Sequence, residues 1–269
     1  MRTPLIALTL SLAFAQGETP VERRELVRDA VDNYFRSAKL MREFAVVRHT
    51  ERREFDGGGK LKSSERWTQH IDFIGGVRVG WTIERDGKPL SPGELAMSQD
   101  AARQEAAEWK AMTPRQRAKI LAKAEKEADY LKEFPHALVF SALPDEALDG
   151  RPAMVWAFKP KPGYKARSMG GRAYEGVVGK LWLDKEERQL MRLEAEVVRD
   201  VTVGGFLAKI EKGTKFELSQ ARVEPGCWLP VKQSIRYGAR ILMVKGIHRA
   251  IDTRYREWRR SPEPPWSGN

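Results

Sequence analysis

The sequence predicts an α+β protein built on one antiparallel β-sheet with helices on one face. Segments of alternating apolar and polar residues lie on both sides of a helical stretch at about 92–133. The strand–helix–strand alternation that builds parallel sheets does not occur. The chain has 269 residues, of which 41% are hydrophobic, and this supply is large enough for a sizeable core.

Residues 1–15 have the pattern of a signal peptide. Arg2 precedes an apolar run that ends in the cleavage motif Ala-Phe-Ala at Ala15, and the run is too short for a comfortable membrane span. We therefore expect a periplasmic or secreted protein that begins near Gln16. No cysteine follows the run, so we expect no lipid anchor there. A buried N-terminal helix is the alternative.

Three helices are predicted. Residues 20–41 carry apolar side chains at helical spacing, which indicates an amphipathic helix lying on the sheet. Ser91 begins a second helix and Thr113 a third, because each is followed by proline and Ser91 has glutamate three residues later. The segment 92–133 has few apolar residues, so it is either a lid or partner surface, or a solvated insertion.

In the remaining chain, alternating apolar and polar residues predict strands, which reverse at turns containing glycine or charged residues. Turns are expected at 56–59, at 86–87 and at 184–187, the last within a hairpin over 179–197. We expect one domain over 16–260, followed by a disordered proline-rich tail at 261–269.

No catalytic or metal-binding motif is present. The four histidines lack the spacing of zinc ligands, and no G-x-S-x-G nucleophile motif occurs. We therefore expect no enzyme activity, no metal and no cofactor. The single cysteine, Cys227, cannot form an intrachain disulfide; it is interpreted as a small buried hydrophobe, with a reactive thiol as the alternative.

The formal net charge of +11 favours anionic partners. The interleaved Tyr255 and Trp258 would suit nucleic acid, but export argues against that partner. An anionic membrane surface or an envelope protein fits the compartment, and a solvated strand face is the alternative. The candidate residues for contact with an anionic surface are Arg249, Arg254, Arg256, Arg259 and Arg260.

Large apolar residues that share strand faces are the candidates for an interior. In the hairpin, Leu181 and Leu183 lie opposite Trp182, while Met191 and Leu193 are expected to share a face of the returning strand. These residues form either an ordinary core or the lining of a cavity for an apolar ligand. The candidates for a cavity are Trp67, Trp81, Met154, Trp156, Phe158, Leu181, Leu183, Met191, Leu193, Phe216 and Leu218.

The segments LWLD at 181–184 and MRLE at 191–194 resemble a hairpin of the LolA/LolB-type lipoprotein carrier superfamily. The resemblance implies an open half-barrel of antiparallel strands, with helices covering the concave face and an apolar interior. Members carry lipoprotein acyl chains, bind lipids or sense envelope stress through protein contacts. We therefore expect a non-catalytic carrier of a lipid or an acylated lipoprotein, and the alternative is an envelope regulatory module with a filled core.

Overall fold

The computed structural model describes residues 19–203, 208–241 and 245–262. The signal peptide predicted at 1–15 and most of the tail predicted at 261–269 lie outside these ranges. Within them the α-helices are α1 (Pro20–Leu40), α2 (Pro92–Ala111), α3 (Pro114–Ala128) and α4 (Phe134–Ala137). Short 3-10 helices occupy Met41–Glu43, Asp129–Glu133 and Gly170–Glu175.

The strands follow the predicted division of the chain around the helical segment. They are β1 (Phe44–Phe55), β2 (Leu61–Ile74), β3 (Val77–Arg85), β4 (Lys88–Pro89), β5 (Leu138–Leu148), β6 (Arg151–Pro160), β7 (Val177–Asp184), β8 (Leu190–Val197), β9 (Val201–Val203), β10 (Ala208–Ile210), β11 (Lys215–Glu224), β12 (Cys227–Ile241) and β13 (Lys245–Arg260).

All thirteen strands belong to one sheet, in the order β4-β3-β2-β1-β13-β12-β11-β8-β7-β6-β5, with β9 and β10 attached beside β12. Each pairing is antiparallel. The sheet is curved and does not close, because β4 and β5 end the order without pairing to each other. The fold is therefore the open α+β half-barrel that the sequence predicts.

The helices begin where the capping residues predict. Ser91 Oγ accepts from the Glu94 amide while the Glu94 carboxylate accepts from the Ser91 amide, and Thr113 and Gln116 repeat this arrangement. Each reciprocal pair satisfies two of the backbone donors that a helix leaves free at its start.

The helix α1 lies across one face of the sheet, called here the α1 face. Its side chains Val27 and Ala30 pack with Trp156, Leu181 and Leu183 in the largest core cluster. Side chains alternate between the two faces along β6 and β7. Every second residue of each strand therefore contributes to the core under α1. The α1 face of β5–β7 is thus filled.

The helix α2 lies on the opposite face, at the β3 end of the sheet. Ala102 and Ala106 pack there against Val77 and Val79, with Trp81 beside them. This differs from the expectation that the helices share one face. The reason is that β3 carries apolar side chains on that face as well, and the small alanines let a helix approach closely enough to cover them.

The helix α3 makes little contact with the rest of the molecule. Arg117 is its one buried residue, whereas Ile120 and Leu121 are 45% and 38% exposed. A separate finding concerns membrane spans: no helix in the described ranges has both the length and the hydropathy for a transmembrane crossing.

Gly179 marks the closest approach of two backbones in the sheet. A Cβ at this position would overlap the carbonyl oxygen of Glu194 and lie 2.5 Å from the ring of Phe158. We expect Gly179→Ala to lower the free energy of unfolding by about 1–3 kcal/mol, because overpacked sites must shift backbone or side chains. Urea denaturation measures this, and Gly57→Ala, at a position with open space, is the control. Equal stabilities of the two variants would contradict the predicted overlap.

Candidate functional site

Backbone pairing arranges side chains of the α1 face in rows that run across the strands, because directly paired residues point to the same side. One row consists of Ala195, Phe216, Ile235 and Ile251, from β8, β11, β12 and β13. All four are half-buried. Strands lie about 4.8 Å apart, so the row spans about 14 Å.

The adjacent row begins with Leu193 and Leu218 and then becomes polar. Leu193 is half-buried and Leu218 is 4% exposed. Their row continues through Gln233 and Thr253. We call the half-buried set Leu193, Ala195, Phe216, Ile235 and Ile251 the apolar strip. The side chains of the strip are less completely covered than those of the main core.

The α1 face beyond the strip, toward β5, is closed by aromatic packing. Phe134 lies 5.3 Å from Phe158 and 5.6 Å from Tyr174, measured between ring centroids, and both contacts are edge-on. Edge-to-face pairs at this separation are favourable beyond the area they bury. This part of the face is a packed core.

The predicted interior residues therefore fall into different environments. Trp156, Phe158, Leu181 and Leu183 are at most 3% exposed in the main core. Met154 and Leu193 pack against the edge of this core, and Leu218 and Phe216 follow along the same face. Trp81 lies under α2 on the opposite face. Trp67 is half-buried, and the Arg52 guanidinium lies 5.8 Å from the centre of its ring.

The expectation that Met191 and Leu193 share a face was wrong. Trp182 pairs with Arg192 but Leu183 pairs with Leu190, so Met191 is an extra residue in a β-bulge. A bulge shifts the alternation of the strand that contains it. Met191 consequently packs with Trp182 in a cluster on the opposite face, whereas Leu193 stays with the α1 face. The positions of Leu181 and Leu183 opposite Trp182 are as predicted.

The turn of this hairpin is held by the carboxylate of Asp184, whose burial was not predicted from the sequence. Asp184 has 0% side-chain exposure; it accepts from Arg151 Nε at 2.6 Å and Nη2 at 3.1 Å, and from the amides of Glu186 and Glu187 at 3.0 and 2.7 Å. Its position as the last residue of an apolar strand, followed by a charged turn, was the available signal.

Burial raises the pKa of the Asp184 carboxyl, but the hydrogen bonds from Arg151 and the two turn amides outweigh it, and the pKa lies below its usual value. The neighbouring Glu187 behaves in the same way, with Trp228 Nε1 donating to it at 2.8 Å. Both carboxylates are therefore charged supports of the hairpin, with no acid–base role in view.

A cationic group lies on the α1 face next to the polar end of these rows. Tyr255, Arg48 and Gln69 form one cross-strand row, and Arg48 Nη2 donates to Gln69 Oε1 at 2.5 Å. Tyr255 donates to Gln233 Oε1 at 2.9 Å, which joins this row to the one that contains Leu218. Arg78 from β3 donates to the carbonyl oxygen of Phe44 at 3.3 Å.

The charge of the arginines predicted to contact an anionic surface is largely neutralised by local ion pairs. Arg249 pairs with Glu54, Arg259 with Asp72 at 2.7 Å, and Arg260 with Glu43 and Glu224. Arg254 and Arg256 are exposed. Three of the five predicted arginines are therefore engaged in local ion pairs.

Cys227 is fully buried beside Phe44 and Leu229, and burial raises the pKa of its thiol to about 11. A protonated buried thiol is a poor nucleophile, which agrees with the interpretation as a small core residue. In the part of the chain that the structure describes, no group of three or more His, Cys, Asp or Glu side chains is arranged to hold a metal ion.

Comparisons with known proteins give structural matches only. No family model and no curated protein matches the chain. A domain described as an outer membrane lipoprotein-sorting protein from Vibrio parahaemolyticus matches with 9% identity and a TM-score of 0.30, covering 87% of this chain and 92% of that one. A DUF1329 family protein from Desulfovibrio piger matches with 11% identity and a TM-score of 0.30, covering 91% and 95%.

A third match is MucB in complex with MucA(peri), with 12% identity and a TM-score of 0.21, covering 87% of this chain and 100% of that one. At TM-scores of 0.30 and below, these likenesses assign neither ligand nor partner to this chain.

Proposed function

We propose that this chain is an exported, non-catalytic binding protein that holds an acyl chain of a lipid or lipoprotein on the apolar strip. The observation that supports this best is the row Ala195, Phe216, Ile235 and Ile251, which is only half-buried, while the neighbouring apolar residues of the main core on the same face are buried. Removing such surface from water is favourable, and a ligand that covers it gains that free energy.

The shape of the strip favours a narrow ligand. It is about one side chain wide and, from the strand spacing, about 14 Å long. A stable protein partner buries about 800 Å² on each side, far more than one row of side chains supplies. A single extended hydrocarbon chain fits the strip, and the adjacent polar row would meet the more polar part of the same molecule.

Mutation of the strip tests this function. We expect Ile235→Gln to weaken uptake of a fluorescent fatty acid by about tenfold, because a polar amide replaces apolar contact worth roughly 1–1.5 kcal/mol at a half-buried position. Arg236→Gln introduces the same side chain one residue further on, on the opposite face, and should change uptake less than about twofold.

Native mass spectrometry of the mature protein purified from its own envelope complements the titration. We expect a co-purifying lipid or acylated peptide that is lost in the Ile235→Gln variant. A clean apo mass, together with no fatty-acid uptake by the wild-type protein, would refute the proposed function.

A second candidate function is protein binding through α3. The specific observation is that Ile120 and Leu121 are exposed on a helix that packs little against the sheet, with the exposed Lys126 on the other side of that helix. A photo-crosslinker at 121 would then give one defined adduct in the intact envelope, and the same probe at Lys126 would not. Equal adducts from both positions would count against a specific interface.

A further inference from the structure

A run of basic residues leads from the end of β6 to the 3-10 helix Gly170–Glu175. Positions 159–172 contain no acidic residue and five basic ones, which are Lys159, Lys161, Lys165, Arg167 and Arg172. All five are exposed. Within the described part of the chain none of them forms an ion pair with an acidic side chain, whereas Arg151, Arg192 and Arg222 on the strands do. We call residues 161–169 the basic loop.

One carboxylate anchors the basic loop to the 3-10 helix Asp129–Glu133. Glu133 accepts hydrogen bonds from the Tyr164 hydroxyl and from the Arg167 amide, the latter at 2.9 Å. Burial raises the pKa of the Glu133 carboxyl, but hydrogen bonds from Ser168, Tyr164 and the Arg167 amide outweigh it, and the pKa lies below its usual value. The charged Glu133 therefore fixes the loop backbone, and it leaves the lysines of the loop without an ion-pair partner.

Two glycines after the loop allow it to lie directly on the same helix. A Cβ on Gly171 would lie 2.6 Å from Oε2 of Glu133, and a Cβ on Gly170 would lie 2.8 Å from the ring of Tyr130. Both distances are far shorter than ordinary contacts between heavy atoms, so only glycine fits at either position. The end of the basic loop is thus packed closely against the rest of the molecule.

A tight turn fixes the first part of the loop. The Tyr164 amide donates to the carbonyl oxygen of Lys161 at 3.1 Å, and Gly163 has a φ of 72°. Proline at the second position, here Pro162, followed by glycine at positive φ is the sequence that a type II turn favours. Because the loop is held at both ends, a ligand that binds it does not first have to order the backbone.

The anchored loop borders a cavity of about 430 Å³ beside the helix Asp129–Glu133 and α4. The charged side chains of its lining are Lys132, Glu133, Lys161, Lys165 and Arg167. Lys132 pairs with Asp129 at 2.6 Å, and Glu133 is engaged by the loop itself. Three cations that form no ion pair in the described ranges therefore line one concave site, and such a site concentrates anions.

The number of these cations favours a phosphate monoester over other anions. Near neutral pH a phosphate monoester carries a charge of about −1.5 to −2 and three strong acceptor oxygens. A carboxylate or a phosphodiester carries one negative charge and two such oxygens. A guanidinium binds two phosphate oxygens as a fork, and a lysine binds as a point charge. The cavity is also larger than a phosphate group, so it has room for part of the esterified molecule.

We propose that the cavity of the basic loop binds a phosphate monoester, with Lys161, Lys165 and Arg167 contacting its oxygens. The site is separate from the apolar strip, which lies on β8 and β11–β13, whereas the loop lies between β6 and β7, where Phe134 packs on Phe158. The proposal therefore goes beyond acyl-chain binding and does not depend on it. A soluble ester and a phosphorylated lipid share the dianionic group, and the test distinguishes them.

The first arm compares methyl phosphate with dimethyl phosphate by phosphorus NMR titration of the mature protein at neutral pH and fixed ionic strength. The second methyl group removes one charge and one terminal oxygen. We expect methyl phosphate to bind at least about tenfold more tightly, since one hydrogen bond between charged groups contributes that much or more.

Variants locate the binding. Lys165→Gln and Arg167→Gln should each weaken methyl phosphate by about tenfold. Both side chains are exposed and Arg167 contacts Glu133 through its backbone amide, so both variants should fold, and thermal unfolding checks this. Arg254→Gln removes an equal charge from an exposed position on β13 and should change the affinity less than about twofold.

Vesicle flotation identifies the source of the phosphate. Phosphatidate carries a phosphate monoester and phosphatidylglycerol a diester, and the two vesicle types are prepared with equal surface charge. A preference for phosphatidate that Lys165→Gln abolishes assigns a phosphorylated lipid. Binding of methyl phosphate without that preference assigns a soluble ester.

The two sites of the protein are tested separately. Lys165→Gln should leave fatty-acid uptake within about twofold of wild type, and Ile235→Gln should leave methyl phosphate binding unchanged. Absence of fatty-acid uptake would refute the proposed function without affecting the phosphate site. Absence of methyl phosphate binding, equal affinities for the two methyl esters, or equal losses in Lys165→Gln and Arg254→Gln would refute the phosphate site.

Discussion

Asp184→Ala is expected to lower the free energy of unfolding by about 3–5 kcal/mol, the cost of breaking a buried ion pair by removing one partner. The Asp184 side chain is fully buried and accepts four hydrogen bonds, two from Arg151 and two from turn amides. Its removal leaves these donors without a carboxylate and releases the β7–β8 turn. Urea denaturation followed by circular dichroism measures the loss.

The control is Asp145→Ala, which removes an aspartate whose ion pair with Lys185 is largely exposed, with side-chain exposures of 55% and 41%. Exposed pairs contribute about 0–1 kcal/mol, so this variant should remain close to wild type. A loss below about 1 kcal/mol for Asp184→Ala would contradict the role assigned to the buried carboxylate.

Asp184 also predicts a pH dependence. Its pKa is lowered in the folded protein, so its contribution is complete above the usual aspartate value of about 4 and is lost as pH falls through the folded pKa. The wild-type protein should therefore lose stability below about pH 4, and Asp184→Asn should lose less over that window. Parallel stability curves for the two proteins would show that the carboxylate is not the titrating group.

Trp156→Ala is expected to lower the free energy of unfolding by about 3–5 kcal/mol, as large-to-small substitutions of buried aromatic residues do. Trp156 is 1% exposed and packs in the main core with Val27 and Ala30 of α1. The cost should exceed that of Trp67→Ala, where the side chain is only half-buried.

The same variant distinguishes core from ligand lining. Because Trp156 lies under α1 and not on the apolar strip, Trp156→Ala should leave fatty-acid affinity within about threefold of wild type under conditions where the variant is folded. Loss of binding with unchanged stability would place the ligand in the main core instead. Titration and denaturation on one sample decide between these results.

Local signals in the sequence identify most of the fold. Ser91 and Thr113 start helices where capping rules place them, and glycine or charged turns separate the strands as predicted. These features depend on interactions within a few residues. The resemblance of the β7–β8 hairpin implies an open antiparallel sheet, and the observed strand order agrees with it.

The wrong prediction for Met191 has a non-local cause. Met191 changes face because of a bulge that depends on the pairing between β7 and β8, and an alternating pattern in one strand carries no sign of it. The position of α2 likewise depends on which face of β3 remains uncovered, a property of the assembled sheet.

The candidate site was predicted in part. Leu193, Phe216 and Leu218 were recognised from alternation, and they do lie on the α1 face, in or beside the apolar strip. Ile235 and Ile251 were missed as lining, because their place in one row with Phe216 is visible only once strands from different parts of the chain are paired.

The most direct test of chain binding is a crystal structure of the mature protein grown with a fatty acid brominated along its chain. We expect an anomalous bromine peak on the α1 face, in contact with Phe216, Ile235 or Ile251. A bromine peak elsewhere, such as beside Ile120 and Leu121 of α3, in a protein that binds the fatty acid stoichiometrically in solution, would contradict the assignment of the apolar strip.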